Sequence, residues 1–193
     1  TVAETGGAEA TSQTLSLTIQ PAGTGQDDVN QNPAPATGYH QPQTYLVSIG
    51  VGAYRDPKLT PRRFAATDAE TVAAYFQSLG GVPPSNVRLL HNQKALRADI
   101  HETLYGWLLQ HAAKDAVVIV YFSGQAMVTP SGDILLTLYD GNAGDSTRLY
   151  PLTDLESAFA RLKAKQIIFL FDGMVARLRG DTKVKPASPR WEL

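Results

Sequence analysis

Two carboxylates and a hydroxyl stand at places in the sequence from which they can meet in one cleft. Ser123 and Asp172 follow two predicted core strands, and Asp68 lies in the first turn of the helix predicted after the first strand. Parallel sheets bind ligands at the carboxyl ends of their strands, so we expect the three side chains at one edge. Converging carboxylates repel each other unless a cation or hydrogen-bond donors lie between them, which predicts a site for a guanidinium or ammonium group. The alternatives are local: Asp68 satisfies free amides at a helix start, and Asp172 braces the next loop.

Groups suited to covalent catalysis or metal binding are scarce. The chain has no cysteine, which excludes thiolate nucleophiles, thiolate metal sites and disulfides. Of the four histidines, only His91 falls at a predicted strand end, while His101 and His111 lie on one predicted helix without carboxylates at ligand spacing. Residues 50–55 begin like a dinucleotide-binding motif, but Arg55 replaces the third glycine and no helix follows closely. We therefore predict no metal and no cofactor.

The elements that must position these residues alternate between strands and helices from Thr44 onward. A hairpin is predicted over residues 127–139, turning at 130–133, and the helix that follows is opened by a capping box of Thr153 and Glu156. The order predicts an α/β fold: a mostly parallel sheet with helices on both faces, forming a three-layer α/β/α sandwich. The predicted strands are 45–49, 86–90, 116–122 and 166–171, and the predicted helices are 65–79, 96–112 and 153–162.

Charge and composition divide the chain into residues 1–43 and 44–193. The first part has four acidic residues and no Lys or Arg, and it is rich in Gly, Thr, Gln, Asn and Pro, which is typical of a linker or arm. Within it, Leu15–Ile19 alternates apolar and polar residues, a pattern that favours a short edge strand lying on the domain or on a partner. Residues 44–193 are predicted to form one domain.

The overall charge argues against two classes of partner. A formal net charge of −1 with 18% charged residues offers no general basic surface for nucleic acid. The longest apolar runs have strand length, well below the roughly 20 residues of a membrane span, so no membrane insertion is predicted.

Five segments of the predicted domain, in this order and spacing, carry a family resemblance: Tyr45–Leu59, Phe64–Ala69, Gly81–Leu90, Val120–Gly124 and Phe169–Asp172. Together they resemble the bacterial caspase-like peptidases, the metacaspases and orthocaspases. The resemblance runs from about residue 44 to 177 and implies the caspase-hemoglobinase fold. The alternative is a flavodoxin-like doubly wound sheet, which would place a helix directly after the third strand.

The resemblance implies a catalytic histidine directly after Ser-Gly of the third strand and a cysteine two residues after the Asp of the fourth. Those positions hold Gln125 and Met174. An amide accepts no proton from a nucleophile at neutral pH, and a thioether forms no hydrolysable acyl intermediate. The sequence therefore predicts a catalytically inactive pseudopeptidase, a binding or scaffolding module and not an enzyme. The alternative is an active hydrolase with Ser123 as its nucleophile, for which His91, on the family's edge strand, is expected to lie too far away.

The family's pocket for Arg or Lys corresponds by resemblance to Asp68, Ser123 and Asp172, the same trio that the strand ends indicate. The predicted partner is therefore a protein or peptide with a basic side chain.

The sequence after Asp172 is short and basic, so the family's last two strands are expected to be missing. This leaves an open edge on the fourth strand unless the chain is a fragment. We expect a homo-oligomer through that edge or through the N-terminal arm, with capping by the arm of the same chain as the alternative. The compartment stays undetermined, with a periplasmic or secreted location favoured over a cytoplasmic one.

Overall fold

The computed structural model describes residues 38–178, which fold around one mixed sheet. The parallel strands β1 (Thr44–Gly50), β2 (Val87–His91), β3 (Val117–Val128) and β6 (Gln166–Arg177) form its centre. β1 pairs with β2 and β3, and β6 pairs with the other edge of β3, which gives the order β2-β1-β3-β6. The short strands β4 (Ile134–Thr137) and β5 (Tyr150–Pro151) extend the sheet in antiparallel fashion beside the last part of β3.

The helices cover both faces of the sheet, as predicted. Helix α1 (Ala65–Ser78) packs on one face, where Ala73 joins Leu46 and Ile119 in a small apolar cluster. On the other face lies a helix in three segments, α2 (Arg97–His101), a π-helical segment (Glu102–Trp107) and α3 (Leu108–His111), together with α4 (Leu152–Arg161). The main core forms there around fully buried residues such as Leu104 and Phe122.

The hairpin after β3 decides between the two sheet topologies that the sequence left open. No helix follows Phe122; β3 continues, turns at residues 129–133 and returns as β4, with Gln125 opposite Thr137 and Val128 opposite Ile134. This confirms the caspase-like three-layer α/β sandwich and excludes the flavodoxin-like alternative. No helix within residues 38–178 is both long enough and apolar enough to span a bilayer.

Two strands are longer than predicted. The apolar runs end at Phe122 and Phe171, but β3 and β6 stay paired as far as Val128 and Arg177. Pairing persists because the β4 hairpin takes the place of β1 beside β3 once β1 has ended. The hairpin accordingly begins at Gln125, two residues before its predicted start.

The predicted capping box is wrong. Helix α4 begins at Leu152, its N-cap is Pro151, and no side chain caps it. Thr153 therefore lies inside the first turn, where its carbonyl accepts a hydrogen bond from Ser157 Oγ at 2.7 Å. Proline presets the backbone angle at which the chain enters the helix, so the start shifts by one residue.

Most of the predicted arm, including Leu15–Ile19, lies outside the described residues, as do residues 179–193 of the basic tail. The last residues before β1 bond to the domain: Gln41 N donates to the Gly81 carbonyl at 2.8 Å, and the Gln43 carbonyl accepts from Val117 N at 3.0 Å.

Candidate functional site

The three residues singled out by the sequence line one pocket. Asp68, Ser123 and Asp172 share a cavity of about 310 Å³ with residues 61–65, the segment that leads into α1. Ligand pockets commonly start near this volume, and larger ones hold whole cofactors or drug-sized molecules. The cavity therefore has the size for a single long side chain.

A glycine at the end of β1 sets the position of Asp68. The first turn of α1 packs directly onto Gly50, where an added Cβ would overlap the Ala65 carbonyl oxygen and lie 2.7 Å from Ala69 Cβ. This close approach brings Asp68, in the first turn, over the adjacent strand β3. There Ser123 Oγ donates a hydrogen bond to Asp68 Oδ2 at 3.4 Å. The N-cap residue Phe64 makes no side-chain cap hydrogen bond, and Asp68 is the acidic residue of the first turn, so a local role at the helix start stays an alternative for Asp68.

Sheet register aligns the other two residues. Ser123 is the Cα partner of Gly50 on β1 and of Asp172 on β6, so three neighbouring strands contribute to one row across the sheet. Asp172 lies within β6 and not in a loop, and its Oδ2 accepts a hydrogen bond from Tyr121 Oη at 3.1 Å. The explanation of Asp172 as a brace for the following loop is therefore wrong.

The two carboxylates of the pocket repel each other, and a bound cation would reduce that repulsion. Burial raises the pKa of Asp68, and the charge of Asp172 raises it further, while the hydrogen bond from Ser123 acts in the opposite direction. Burial also raises the pKa of Tyr121 to about 12, so this phenol stays a hydrogen-bond donor to Asp172 at neutral pH. The two donors offset only part of the repulsion between the carboxylates.

Two arginines and one phenylalanine also line the pocket. Arg62 and Arg63 line the cavity, and Arg63 Cζ lies 5.3 Å from the ring centroid of Phe64. The Phe64 side chain is 63% exposed, which is unusual for phenylalanine, and offers an apolar surface for an aliphatic stem. The arginines reduce the negative potential of the pocket without pairing with either carboxylate in a salt bridge.

Two residues beyond the row lie Gln125 and Met174, which are Cα partners on β3 and β6. Their side chains project to the same face as Ser123 and Asp172, because alternate residues of a strand share a face. Gln125 is only 6% exposed, and its Oε1 atom accepts no hydrogen bond from the described residues. Met174 is 39% exposed.

Comparison with known proteins identifies the family of this chain. The sequence model of the caspase domain, the C14 peptidase family, matches residues 45–188. This chain belongs to the caspase-domain family. Among solved structures, it resembles the crystal structure of protein GSU0716 from Geobacter sulfurreducens with a TM-score of 0.54 and 20% identity, over 68% of this chain and 50% of that one. It thus spans about half the length of that relative, and the likeness concerns the fold alone. The search of curated proteins found no match.

The histidines of this caspase domain lie away from the pocket. His91 Nδ1 approaches Glu70 Oε1 of α1 at 3.3 Å, and His91 is separated from Ser123 by β1, two strand spacings or about 10 Å across the sheet. The first turn of α1 packs onto Gly50, which lies between them, and so separates the His91 side chain from Ser123. Within residues 38–178, no cluster of three metal-ligating side chains occurs.

The other candidate groups have structural partners. His101 stacks on Tyr105 with ring centroids 4.5 Å apart, and His111 Nδ1 lies 2.8 Å from the Trp107 carbonyl oxygen. In the glycine-rich exit of β1, the amides of Gly52 and Ala53 donate to Asn92 Oδ1 at 2.9 and 3.0 Å. These amides are therefore occupied and do not form a phosphate cradle.

Sequence reasoning missed four residues of the site: Tyr121, Arg62, Arg63 and Phe64. Tyr121 was within reach, since it precedes Ser123 by two residues on a strand and must share its face. The segment 61–64 has no periodicity, and its place beside the pocket follows from the packing of α1 against β1.

Proposed function

We propose that this caspase domain is a pseudopeptidase that binds a segment of another protein through a basic side chain and does not cut it. The observation that carries the proposal is the pairing of Gln125 with Met174 beside an intact acidic pocket. The family resemblance puts the catalytic histidine and cysteine at these two positions. The pocket and the missing dyad share the same two strands, so the site keeps its means of recognition beside two groups without peptidase chemistry.

The chemistry of both residues supports inactivity. A carboxamide takes up no proton near neutral pH, so Gln125 supplies no general base. A thioether has no proton to lose and forms no acyl intermediate, so Met174 supplies no nucleophile. The burial of Gln125 adds a geometric reason, since a side chain that is 6% exposed has little access to a substrate.

The pocket supports recognition of Arg or Lys. Asp68 and Asp172 approach each other closely enough for the charge of one to raise the pKa of the other. A bound guanidinium or ammonium group would neutralise both, while Phe64 would contact its aliphatic stem. Charge-assisted hydrogen bonds contribute about 1.5–3 kcal/mol each. We expect the free energy of binding from this contact to lie at the lower end of that range, because solvent screens the pocket and Arg62 and Arg63 repel a bound cation.

The binding test compares an arginine peptide with its citrulline counterpart, which has nearly the same shape without the charge. We expect the arginine peptide to bind about tenfold more tightly, since 1.4 kcal/mol corresponds to a factor of ten. Asp172→Asn should remove this preference, whereas Asp115→Asn, at an exposed acidic residue outside the pocket, should leave it unchanged. Equal affinity for both peptides would return the pocket to a purely structural role.

A second candidate function, hydrolysis with Ser123 as the nucleophile, has one observation in its favour. The Ser123 hydroxyl already donates to a carboxylate whose pKa is raised. Fluorogenic peptides ending in Arg, Lys or Asp, with and without calcium, distinguish the two functions. Turnover that Ser123→Ala abolishes would overturn the proposal of an inactive domain.

Restoring the dyad is a separate test of the same proposal. Gln125→His with Met174→Cys should recover little turnover. The family resemblance implies a glycine at the position of Ala126, next to the histidine, and the base position at Gln125 is buried. Activity near that of an active caspase-like peptidase would show that the two substitutions alone separate this chain from catalysis.

A further inference from the structure

The acidic pocket also contains positive charge. Arg62 and Arg63 line the same cavity as the two carboxylates, Asp68 and Asp172. Neither arginine forms a salt bridge with a carboxylate within residues 38–178. A pocket that holds unpaired groups of both signs is complementary to a ligand that carries both signs.

The carboxylates belong to one level of the sheet. Asp172 lies in the row with Gly50 and Ser123. Asp68 is joined to that row by the hydrogen bond from Ser123 Oγ. A basic side chain that contacts both carboxylates therefore ends at the level of Ser123.

The backbone of Arg62 lies further along the strands. Its N–H donates to the Gly52 carbonyl at 2.8 Å, and its carbonyl oxygen would lie 2.7 Å from a Cβ added to Gly52. The chain that leaves β1 is still beside β3 here, since Val51 N donates to the Ser123 carbonyl at 2.8 Å. Because β1 and β3 are parallel, Gly52 lies two residues beyond the row, at the level of Gln125.

The charge of Arg62 acts at this second level as well. Burial raises the pKa of Tyr54 to about 12, while the charge of Arg62 and the backbone N–H of Gln125 lower it. The Tyr54 phenol thus lies near both groups. Arg63 has a different neighbour, because its Cζ lies 5.3 Å from the ring centroid of Phe64. Arg62 is therefore the arginine that can meet a second charged group of the ligand.

The two levels are separated by about the length of one long side chain. Two residues of a parallel strand span about 6.6 Å. An extended chain covers about 3.5 Å in three bonds, so the five bonds from Cα to Cζ of an arginine ligand cover about 6 Å. A ligand arginine whose guanidinium group contacts Asp68 and Asp172 therefore brings its α-carbon to the level of Arg62.

The group attached to that α-carbon decides whether Arg62 attracts the ligand. Within a peptide, the basic residue carries a neutral carbonyl there and gains little from a guanidinium group. At a carboxyl terminus it carries a carboxylate, whose two oxygens match the paired donors of arginine. At an amino terminus it carries an ammonium group, which Arg62 would repel.

We propose that the pocket binds the carboxyl-terminal Arg or Lys of another protein chain, with the basic side chain at Asp68 and Asp172 and the α-carboxylate at Arg62. This inference rests on the proposed function, since it requires that the pocket bind a basic side chain. Hydrolysis on the carboxyl side of Arg or Lys is the class of reaction that forms such termini. Free L-arginine carries the same carboxylate and guanidinium groups, together with an α-ammonium group.

Short acetylated peptides that end in arginine, prepared as the free acid and as the amide, test the role of the carboxylate without any substitution. We expect the acid to bind the 193-residue chain about fivefold more tightly. This factor corresponds to about 1 kcal/mol, the upper end of the range for an exposed ion pair. Equal affinity, or tighter binding of the amide, would overturn the proposal.

Two variants test the assignment to Arg62. Arg62→Gln should bind the acid and the amide equally. Arg55→Gln is the matched control and should keep the preference, because Arg55 is an exposed arginine outside the pocket, with its Cζ 5.7 Å from the Tyr139 ring centroid. The wild-type preference in Arg62→Gln, or its loss in Arg55→Gln, would contradict the assignment.

Citrulline peptides separate the failure of this inference from the failure of the proposed function. If the arginine peptide amide binds more tightly than the citrulline peptide amide while acid and amide bind equally, the pocket for a basic side chain stands and the carboxyl-terminal ligand is wrong. If arginine and citrulline peptides bind equally in both forms, both proposals are wrong.

Free L-arginine separates the two sources of the ligand. It should bind more weakly than the acetylated peptide acid, because its α-ammonium group would lie beside Arg62. Tighter binding of free L-arginine would overturn the assignment to a protein terminus and give the pocket to the free amino acid.

Discussion

Replacing Gly50 with alanine tests how the fold positions the pocket. The new Cβ would overlap the Ala65 carbonyl oxygen and lie 2.7 Å from Ala69 Cβ, about 0.7 Å inside the 3.4 Å at which ordinary contacts begin. Neither obstacle is a flexible side chain, so the first turn of α1 has to retreat from β1. Overpacking of this kind costs about 1–3 kcal/mol in the free energy of unfolding. For a chain of this size, we expect the melting temperature to fall by roughly 2–12 °C.

The same retreat should affect binding. The hydrogen bond from Ser123 Oγ to Asp68 Oδ2 is already 3.4 Å long, so withdrawal of α1 should break it and weaken binding of an arginine peptide. Thermal unfolding followed by circular dichroism, together with peptide titration, measures both effects. The matched control is Gly106→Ala, where the nearest atom to the new Cβ is the mobile Glu102 Oε1 at 3.5 Å and no loss of stability is expected. Wild-type melting and binding in Gly50→Ala would refute this account of how α1 is placed.

Three further predictions concern the core, a loop contact and the charge of the pocket. Phe122→Ala should reduce the free energy of unfolding by about 3–5 kcal/mol, because Phe122 is fully buried and stacks on Phe171; a loss below 1 kcal/mol in a urea titration would contradict this. Arg97→Ala should lower the free energy of unfolding by about 1 kcal/mol, because the hydrogen bonds to the Thr147 and Leu149 carbonyls are lost. The ion pair of Arg97 with Asp154 is exposed and contributes little, so Asp154→Asn should have the smaller effect in the same titration. Because the pKa of Asp68 is raised in the folded state, its contribution to stability is fully present below its unfolded pKa and is lost as the pH rises through the folded pKa. Asp68→Asn should therefore lose less stability than the wild type across that pH range. Identical pH profiles of the free energy of unfolding would contradict the raised pKa.

Periodicity and order along the chain were sufficient to predict the layers of the fold. The apolar runs of β1 and β3 are buried on both faces or nearly so, whereas that of β6 is only partly buried, and all three runs are recognisable without a structure. The ends of β3 and β6 were not predictable in the same way. Residues such as Ser123 and Gly173 have no strand pattern of their own, and they stay in strands because neighbouring strands pair with them. Tertiary pairing thus overrides local preference beyond the apolar runs.

The candidate site was predictable where it depends on topology and unpredictable where it depends on side-chain packing. The apolar runs of the neighbouring parallel strands β3 and β6 end in the same register, which brings Ser123 and Asp172 together although both strands continue past them. The approach of Arg62 and Phe64 depends on how closely α1 packs onto Gly50, and that distance is a property of the assembled interior.

The energetics of the pocket support the proposal that it binds a cation. The raised pKa of Asp68 means that its ionised form lowers the stability of the folded chain at neutral pH, and Tyr121 and Ser123 supply only one donor each. A purely structural site would gain stability by exchanging one carboxylate for a neutral group. The row from Gly50 through Ser123 to Asp172 is held by α1 and by strand register, and Gln125 and Met174 lie two residues outside it. On this proposal the pocket binds a cation without the catalytic pair. The carboxylates that lower the free energy of unfolding of the unbound chain would then contribute favourably to the free energy of binding.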